Sequence, residues 1–90
     1  MEYAFRWHEW NVEHIGLHGV MPEEAEYVVD HARAPYPQAV EGDRFLVVGQ
    51  TARGEYVQVV YVFDPPDVVF VIHARPLNDR EKRRFRRRRR

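Results

Sequence analysis

His73 and Arg75 stand two positions apart near the end of a strongly apolar segment, Val68–Arg75. If that segment is a strand, the two side chains share one face and lie about 7 Å apart. An imidazole transfers protons near neutral pH, and a guanidinium holds a phosphate through two parallel hydrogen bonds. The pair therefore suits RNA cleavage, in which a 2′-hydroxyl attacks the adjacent phosphate. A structural role is also open to it, as a half-buried histidine and an arginine paired with a carboxylate.

His14 and His18 form a second candidate, because residues four apart on a helix share one face. This is the spacing of a two-histidine metal motif, and a zinc site would need one or two further ligands. His8, Asp30 and His31 are available, but no spacing selects among them, and the chain has no cysteine. The alternative is that His18 interacts with the end of its helix dipole and His14 forms a hydrogen bond inside the fold. We predict no metal and no other cofactor.

The charge of the chain is divided into two opposite parts. Its 90 residues have a formal net charge of zero. Residues 1–74 contain four basic and twelve acidic residues, a balance of −8, whereas residues 75–90 contain ten basic and two acidic ones, a balance of +8. Such asymmetry indicates a polyanionic partner for the basic end, nucleic acid first and an acidic membrane second.

The basic end is predicted to bind RNA phosphates. The residues assigned to this role are Lys82, Arg83, Arg84, Arg86, Arg87 and Arg88. Such binding is independent of RNA sequence and weakens as salt rises. Phe85 is expected to dock the last helix on the core rather than to stack on a base. The alternative for the whole run is a solvated tail, folded back on the acidic body.

The length of the chain fits one domain. We place it at residues 1–85, followed by a basic tail at 86–90 that is a candidate for disorder. A core of this size would gain from self-association or from a partner. The chain has no apolar run of about 18 residues and no visible signal peptide, so we expect no membrane span and a cytoplasmic location.

Apolar periodicity predicts an α+β domain with the order β-α-α-β-β-β-α, its antiparallel sheet packed by helices. A short strand at 3–7 precedes a helix over 8–18 and a second helix from Pro22, ended by Pro35 and Pro37. Three strands follow at 44–51, 55–63 and 68–75, and the short turns between them imply an antiparallel meander. The last helix runs from Arg80 to Phe85.

Alternation along the third strand of the meander sorts its side chains into two faces. One face is expected to contain Val68, Phe70, Ile72 and Ala74, and the other Val69, Val71, His73 and Arg75. The aromatic residues Trp7, Trp10 and Tyr36 are expected in the core or at an interface.

The order of several short motifs resembles one known family. Trp7-x3-Asn11-x2-His14-Ile15-x2-His18-Gly19-Val20, then Pro22-Glu23-Glu24-Ala25, is similar to the opening of the BrnT-like toxins. Later matching segments are Arg44–Gly49, Val59–Tyr61, Ile72–Arg75, and Arg80-Glu81 with Phe85. The members of this family are small ribonuclease toxins of type II toxin–antitoxin pairs, with a RelE-like fold.

The resemblance implies a metal-independent toxin that cleaves RNA and is neutralised by a small DNA-binding antitoxin. By position it gives Arg44, Arg75, Arg80 and Glu81 as site residues, with His14 and His18 in structural roles. The chain departs from the family at His8, where Asp is common, and at His73, where Ser is frequent. The second departure either supplies a proton-transfer group or means that the site no longer performs the family's chemistry.

Together these features predict an endoribonuclease. His73 acts as its acid or base, Arg44 and Arg75 stabilise the phosphate, and Arg80 assists. Glu81 is expected to orient an arginine through an ion pair. The alternative is a non-catalytic module of the same fold, which holds nucleic acid or an antitoxin-like protein through its basic end.

Overall fold

Three helices and a five-stranded sheet make up the described part of the chain, residues 3–64 and 67–88 of a computed structural model. The elements are β1 (Ala4–Phe5), α1 (Glu9–Gly16), α2 (Pro22–Asp30), β2 (Gln38–Ala39), β3 (Phe45–Gln50), β4 (Tyr56–Asp64), β5 (Val68–Pro76) and α3 (Asp79–Arg88). The predicted α+β class is confirmed, and the short strand β2 is an addition to the predicted order. Within these residues, no helix combines the length and the apolar composition needed to cross a membrane.

The sheet is mixed, which corrects the prediction of an antiparallel sheet. Its strand order is β1-β5-β4-β3-β2. The strands β2 to β5 pair antiparallel with their neighbours, as the short turns of the meander require. β1 instead pairs in parallel with β5, with Ala4 opposite Val68 and Phe5 opposite Val69. Two helices separate β1 from the meander in the chain, so no tight turn fixes its direction.

A β-bulge interrupts the pairing of β4 with β5. Val60 pairs with His73, but the next residue of β4, Tyr61, pairs with Val71. Ile72 is therefore the extra residue on β5. A bulge of this kind adds one residue to one strand and shifts the side chains beyond it to the opposite faces.

The bulge corrects the predicted faces of β5. Ala74 joins Val71 on the face that is buried against the helices, and both residues are fully buried. His73 and Arg75 join Phe70 on the other face, where all three are half-buried. His73 and Arg75 still share a face, because both follow the extra residue.

The core lies between one face of the sheet and the helices α1 and α2. Ile15 of α1 and Val28 and Val29 of α2 are at most 2% exposed. Full burial of each such side chain stabilises the fold by about 1.5–3 kcal/mol. The sheet residues buried on this face are Val47, Val57, Val59, Tyr61, Val69, Val71 and Ala74.

Asn11 holds α1 against the free edge of β5. β1 covers this edge only at its first two residues, so the strand beyond Val69 has no β1 partner. The Asn11 side chain is fully buried, and its Nδ2 donates to the carbonyl oxygen of Val71 at 3.1 Å. Its Oδ1 accepts from the backbone N–H of His8 at 2.6 Å, which caps the helix start. α1 therefore lies beside the strand that contains His73.

Phe85 docks α3 on the domain with a buried ring, as predicted, but on the face of the sheet opposite to α1 and α2. It is 7% exposed, and its ring lies 6.2 Å from that of Tyr36 and 5.7 Å from that of Tyr56. The helix continues to Arg88, three residues beyond the predicted end. Arg89 and Arg90 of the predicted tail lie outside the described residues.

Candidate functional site

Arg75 and Glu81 form a two-pronged ion pair between β5 and α3. Nη1 and Nη2 of Arg75 donate to Oε1 and Oε2 of Glu81 at 2.8 and 2.7 Å. Nη1 also donates to the carbonyl oxygen of Pro76 at 3.1 Å. The ion pair predicted for Glu81 is therefore present, and its arginine is Arg75.

Glu81 belongs to the capping box that starts α3. Its Oε1 accepts the backbone N–H of Asn78, and its own backbone N–H donates to Oδ1 of Asn78, both at 2.9 Å. Hydrogen bonds from Arg75 first, and from the Asn78 backbone second, lower the pKa of Glu81 to about 2. The hydrogen bond to Glu81 raises the pKa of Arg75. Glu81 is therefore ionised near neutral pH, which disfavours a role as general base.

Three histidines meet where α1 and the turn after it cross β5; α1 ends at Gly16, so His18 lies in that turn and not on the predicted helix over 8–18. The ring of His73 lies 5.4 Å from that of His18, edge-on, and 6.0 Å from that of His14, between centroids. His14 and His73 are half-buried, and His18 is exposed. We call His14, His18 and His73 the histidine cluster. The helical spacing of His14 and His18 was visible in the sequence, but their shared neighbour was not.

The histidine cluster changes the titration of its inner member. Burial lowers the pKa of His73, and the positive charges of His18, His14 and Arg75 lower it further. The imidazole of His73 is therefore held in its neutral form near pH 7, with one ring nitrogen free to accept a proton. The imidazoles of His14 and His18 lie within ring contact of it.

The histidine cluster is distinct from a metal centre in its geometry. Among residues 3–64 and 67–88, no group of three or more histidine, cysteine or acidic side chains is arranged to hold a metal ion. The metal site considered for His14 and His18 gains no support from their placement. Their contacts are with His73 and with the indole of Trp10, which stacks on His14 at 5.2 Å.

Arg44 and Arg80 lie outside the histidine cluster. Arg44 precedes β3 at the end of the sheet opposite to Arg75, and strand geometry separates the two Cα atoms by about 16 Å. Both Arg44 and Arg80 are exposed, and Arg80 lies in the first turn of α3. The structure thus brings His73, Arg75 and Glu81 together but leaves Arg44 apart.

Two basic side chains of α3 have partners, and the others are exposed. Lys82 lies 3.9 Å from a carboxylate oxygen of Asp79, and Nε of Arg86 donates to the Tyr56 hydroxyl at 3.3 Å. The guanidinium of Arg86 also lies 5.2 Å from the centre of the Tyr56 ring. The remaining basic side chains described on this helix are exposed; they are Arg80, Arg83, Arg84 and Arg87. They present a positive surface beside Arg75.

Trp10 lies outside the core, which excludes one of the two placements predicted for it and leaves the interface as the other. Its side chain is 55% exposed, whereas Trp7 and Tyr36 are half-buried against the core. The indole of Trp10 is nearly parallel to the rings of His14 and Phe70, with interplanar angles of 7° and 6°. It therefore extends the histidine cluster into an exposed row of rings.

A separate cavity of about 290 Å³ lies at the other edge of the sheet. It is bounded by α2, the loop after it, the end of β3 and Phe85. None of the predicted catalytic residues lines it. The cavity therefore adds nothing to the chemistry of His73 and Arg75.

Comparison with known proteins identifies no relative for this arrangement. No model of a protein family, no curated protein and no solved structure matches the chain. The resemblance to BrnT-like toxins remains a prediction.

Proposed function

We propose that the chain is an endoribonuclease toxin of a type II toxin–antitoxin pair, which cleaves RNA without a metal. The observation that supports this proposal best is the contact of His73 with two further histidines beside Arg75. Acid–base cleavage of RNA needs one group that accepts a proton and another that donates one, close to a positive charge. The depressed pKa of His73 suits it to accept the proton, and the imidazole of His18, whose ring lies 5.4 Å away, is the group that we propose donates one.

In this reaction His73 is the general base. It accepts the proton of the 2′-hydroxyl, and the 2′-oxygen forms a bond to the adjacent phosphorus. The bond from phosphorus to the 5′-oxygen breaks, and His18 donates a proton to that oxygen. The products are a 2′,3′-cyclic phosphate and a free 5′-hydroxyl, so atoms and charge balance.

Arg75 stabilises the phosphate during this reaction. Three of the five N–H donors of its guanidinium already bind Glu81 and Pro76, which leaves two for a phosphate oxygen. Glu81 positions this guanidinium rather than touching the substrate. The exposed cations of α3 attract the RNA backbone and raise the rate of encounter.

The partners in this proposal are RNA and a small DNA-binding antitoxin, and the cell compartment is the cytoplasm. The basic α3 suits an antitoxin with a negatively charged segment, which would cover Arg75 and the arginines beside it. The α+β architecture, a small sheet packed by helices, is compatible with a RelE-like fold.

The test is RNA cleavage by the pure protein with and without EDTA. We expect cleavage that survives EDTA, falls at least 100-fold in His73→Ala and Arg75→Ala, and is unchanged in His31→Ala. His31 is the matched control, because it is an exposed histidine that stacks on Tyr27 away from the histidine cluster. Cleavage at the wild-type rate by both site variants contradicts the proposal.

One observation favours the alternative of a non-catalytic binding module. Glu81 occupies the two-pronged edge of Arg75, which is the edge that would hold a phosphate most strongly. A module of this kind would bind RNA or an antitoxin-like protein through α3 alone. If the chain is such a module, its affinity for RNA should fall steeply with salt and it should not cleave RNA. His73→Ala should then leave the affinity for RNA unchanged.

A further inference from the structure

We propose that α1 contains a guanine-binding site formed by Trp10 and Glu13, next to the histidine cluster. The proposal rests on the endoribonuclease function given above and names the base that the enzyme selects. Trp10 and Glu13 are three residues apart on the helix and therefore neighbours on its surface. Both line an open depression, together with His14, Gly16 and Leu17.

The indole of Trp10 supplies the stacking surface. Its side chain is 55% exposed, and its orientation is fixed by the nearly parallel rings of His14 and Phe70. Single-stranded RNA is recognised by stacking of unpaired bases on aromatic side chains, worth about 1–3 kcal/mol for each base. An exposed, restrained indole beside a cationic site is suited to that role.

The carboxylate of Glu13 selects guanine among the four bases. Glu13 is exposed on α1 and lines the same depression. Guanine presents two adjacent N–H donors on its Watson–Crick edge, and a carboxylate accepts two parallel hydrogen bonds. Adenine, cytosine and uracil each place an acceptor beside their donor, which the carboxylate repels. Glu13 therefore favours guanine over the other three bases.

Gly16 leaves the depression open. A Cβ atom built at Gly16 meets no other atom within 4 Å, so a side chain there would project into free space. Gly16 is the last residue of α1 and lies one turn after Glu13. A larger residue at this position would fill the depression without disturbing the core.

The position of the depression relates the base to the cleavage site. Trp10 contacts His14 at 5.2 Å, and His14 contacts His73 at 6.0 Å, between ring centroids. A guanine stacked on Trp10 is thus separated from the proposed general base, His73, by the side chains of Trp10 and His14, and we place the phosphate next to that guanine toward His73.

Binding is measured with the four 2′-O-methyl dinucleotides GpG, ApA, CpC and UpU, which cannot be cleaved. The Trp7→Phe variant leaves Trp10 as the single tryptophan, so quenching of its fluorescence reports stacking. Calorimetric titration of the wild-type chain gives the same affinities if that variant does not fold. We expect GpG to bind about 10-fold more tightly than the other three dinucleotides. Only guanine offers two N–H donors to the Glu13 carboxylate, and hydrogen bonds to a charged group contribute enough for about a 10-fold difference in affinity.

Three variants separate the contributions. Glu13→Gln is expected to remove the preference for GpG, whereas Glu9→Gln, the matched control on the same helix, retains it. Gly16→Leu is expected to weaken all four dinucleotides about 10-fold, because leucine suits a helix and fills the depression.

Equal affinity for the four dinucleotides, or a preference that survives Glu13→Gln, overturns the proposal. Trp10 fluorescence that changes with protein concentration before any nucleotide is added also overturns it, because a second copy then covers the depression. The dinucleotides cannot be cleaved, so their binding is independent of catalysis. Selective binding of GpG without cleavage of RNA would therefore contradict the proposed ribonuclease function but not the guanine-binding site. Cleavage without base preference contradicts this site alone.

Discussion

The guanidinium of Arg75 is bound along one edge by the carboxylate of Glu81, through hydrogen bonds of 2.8 and 2.7 Å. The two residues connect the last strand to the start of the basic helix. The ion pair therefore decides how much of the Arg75 charge is available to a phosphate. It also ties the orientation of α3 to the strand that contains His73.

Glu81→Gln is expected to strengthen RNA binding. The substitution removes the negative charge that competes with phosphate for Arg75, while glutamine still completes the capping box with Asn78. We expect a several-fold lower dissociation constant for a labelled, uncleavable RNA in fluorescence anisotropy at low salt. Glu23→Gln is the control, because it removes the same charge from an exposed position on α2. An equal gain in RNA affinity in the two variants would mean that RNA binding depends on the net charge of the chain and not on the ion pair of Arg75 with Glu81.

The same pair gives the chain an acid-sensitive component of stability. The pKa of Glu81 lies at about 2 in the folded chain, below its ordinary value of 4.5. A carboxyl with a depressed pKa stabilises the fold above its ordinary pKa, and that contribution is lost as the pH falls from 4.5 to about 2. Denaturant unfolding across this range should show a smaller loss of stability in Glu81→Gln than in the wild type. If the free energy of unfolding falls equally with pH in the two proteins, the acid-sensitive component does not come from Glu81.

The fold was predictable where local signals decide it. The meander follows from β-branched strands separated by short turns, and Gly54 adopts the positive φ of 88° that its turn requires. The bulge at Ile72 had no such signal, because a β-branched residue fits a regular strand equally well. The direction of β1 depends on which edge remains open after the meander has formed, and no local pattern specifies that edge.

The candidate site was predictable only in parts. The spacing of His73 and Arg75 was sufficient to place them on one face, since both follow the bulge. His14 and His18 were visible as a helical pair, but their contact with His73 depends on Asn11, which holds α1 against β5. The placement of Arg44 requires the register of β3, which alternation alone does not determine.

His18→Asn is expected to raise the pKa of His73. The charge of His18 disfavours protonation of its neighbour, so its removal moves the pKa of His73 upward. Burial is the larger cause and persists, so the value should stay below the ordinary 6.5. Histidine ring signals followed by NMR over pH 4–8 would measure this shift, with His31→Asn as the control. An unchanged or lower pKa of His73 would show that the histidine cluster does not form.

Tyr61→Phe is expected to stabilise the chain by about 1 kcal/mol. Tyr61 is fully buried, and its hydroxyl has no hydrogen-bond partner among the described residues. Burial raises the pKa of Tyr61 to about 12 from 10.0, so above pH 10.0 the tyrosine ionises more readily in the unfolded chain and the wild type loses stability. Denaturant unfolding should show the gain at pH 7 and a weaker alkaline loss in the variant. Tyr27→Phe, on an exposed ring, is the control.

Asn11→Ala is expected to impair both stability and cleavage. The substitution leaves the carbonyl oxygen of Val71 and the N–H of His8 without their buried partner, at a cost of about 2–4 kcal/mol. It also releases α1 from the edge of β5, which separates His14 from His73. Unfolding by urea measures the first effect, and cleavage at a temperature where the variant is folded measures the second. Val12→Ala, the neighbouring exposed position, should change neither. Full cleavage by a folded Asn11→Ala variant would mean that the contact between α1 and β5 is structural and that His73 works without its two neighbours.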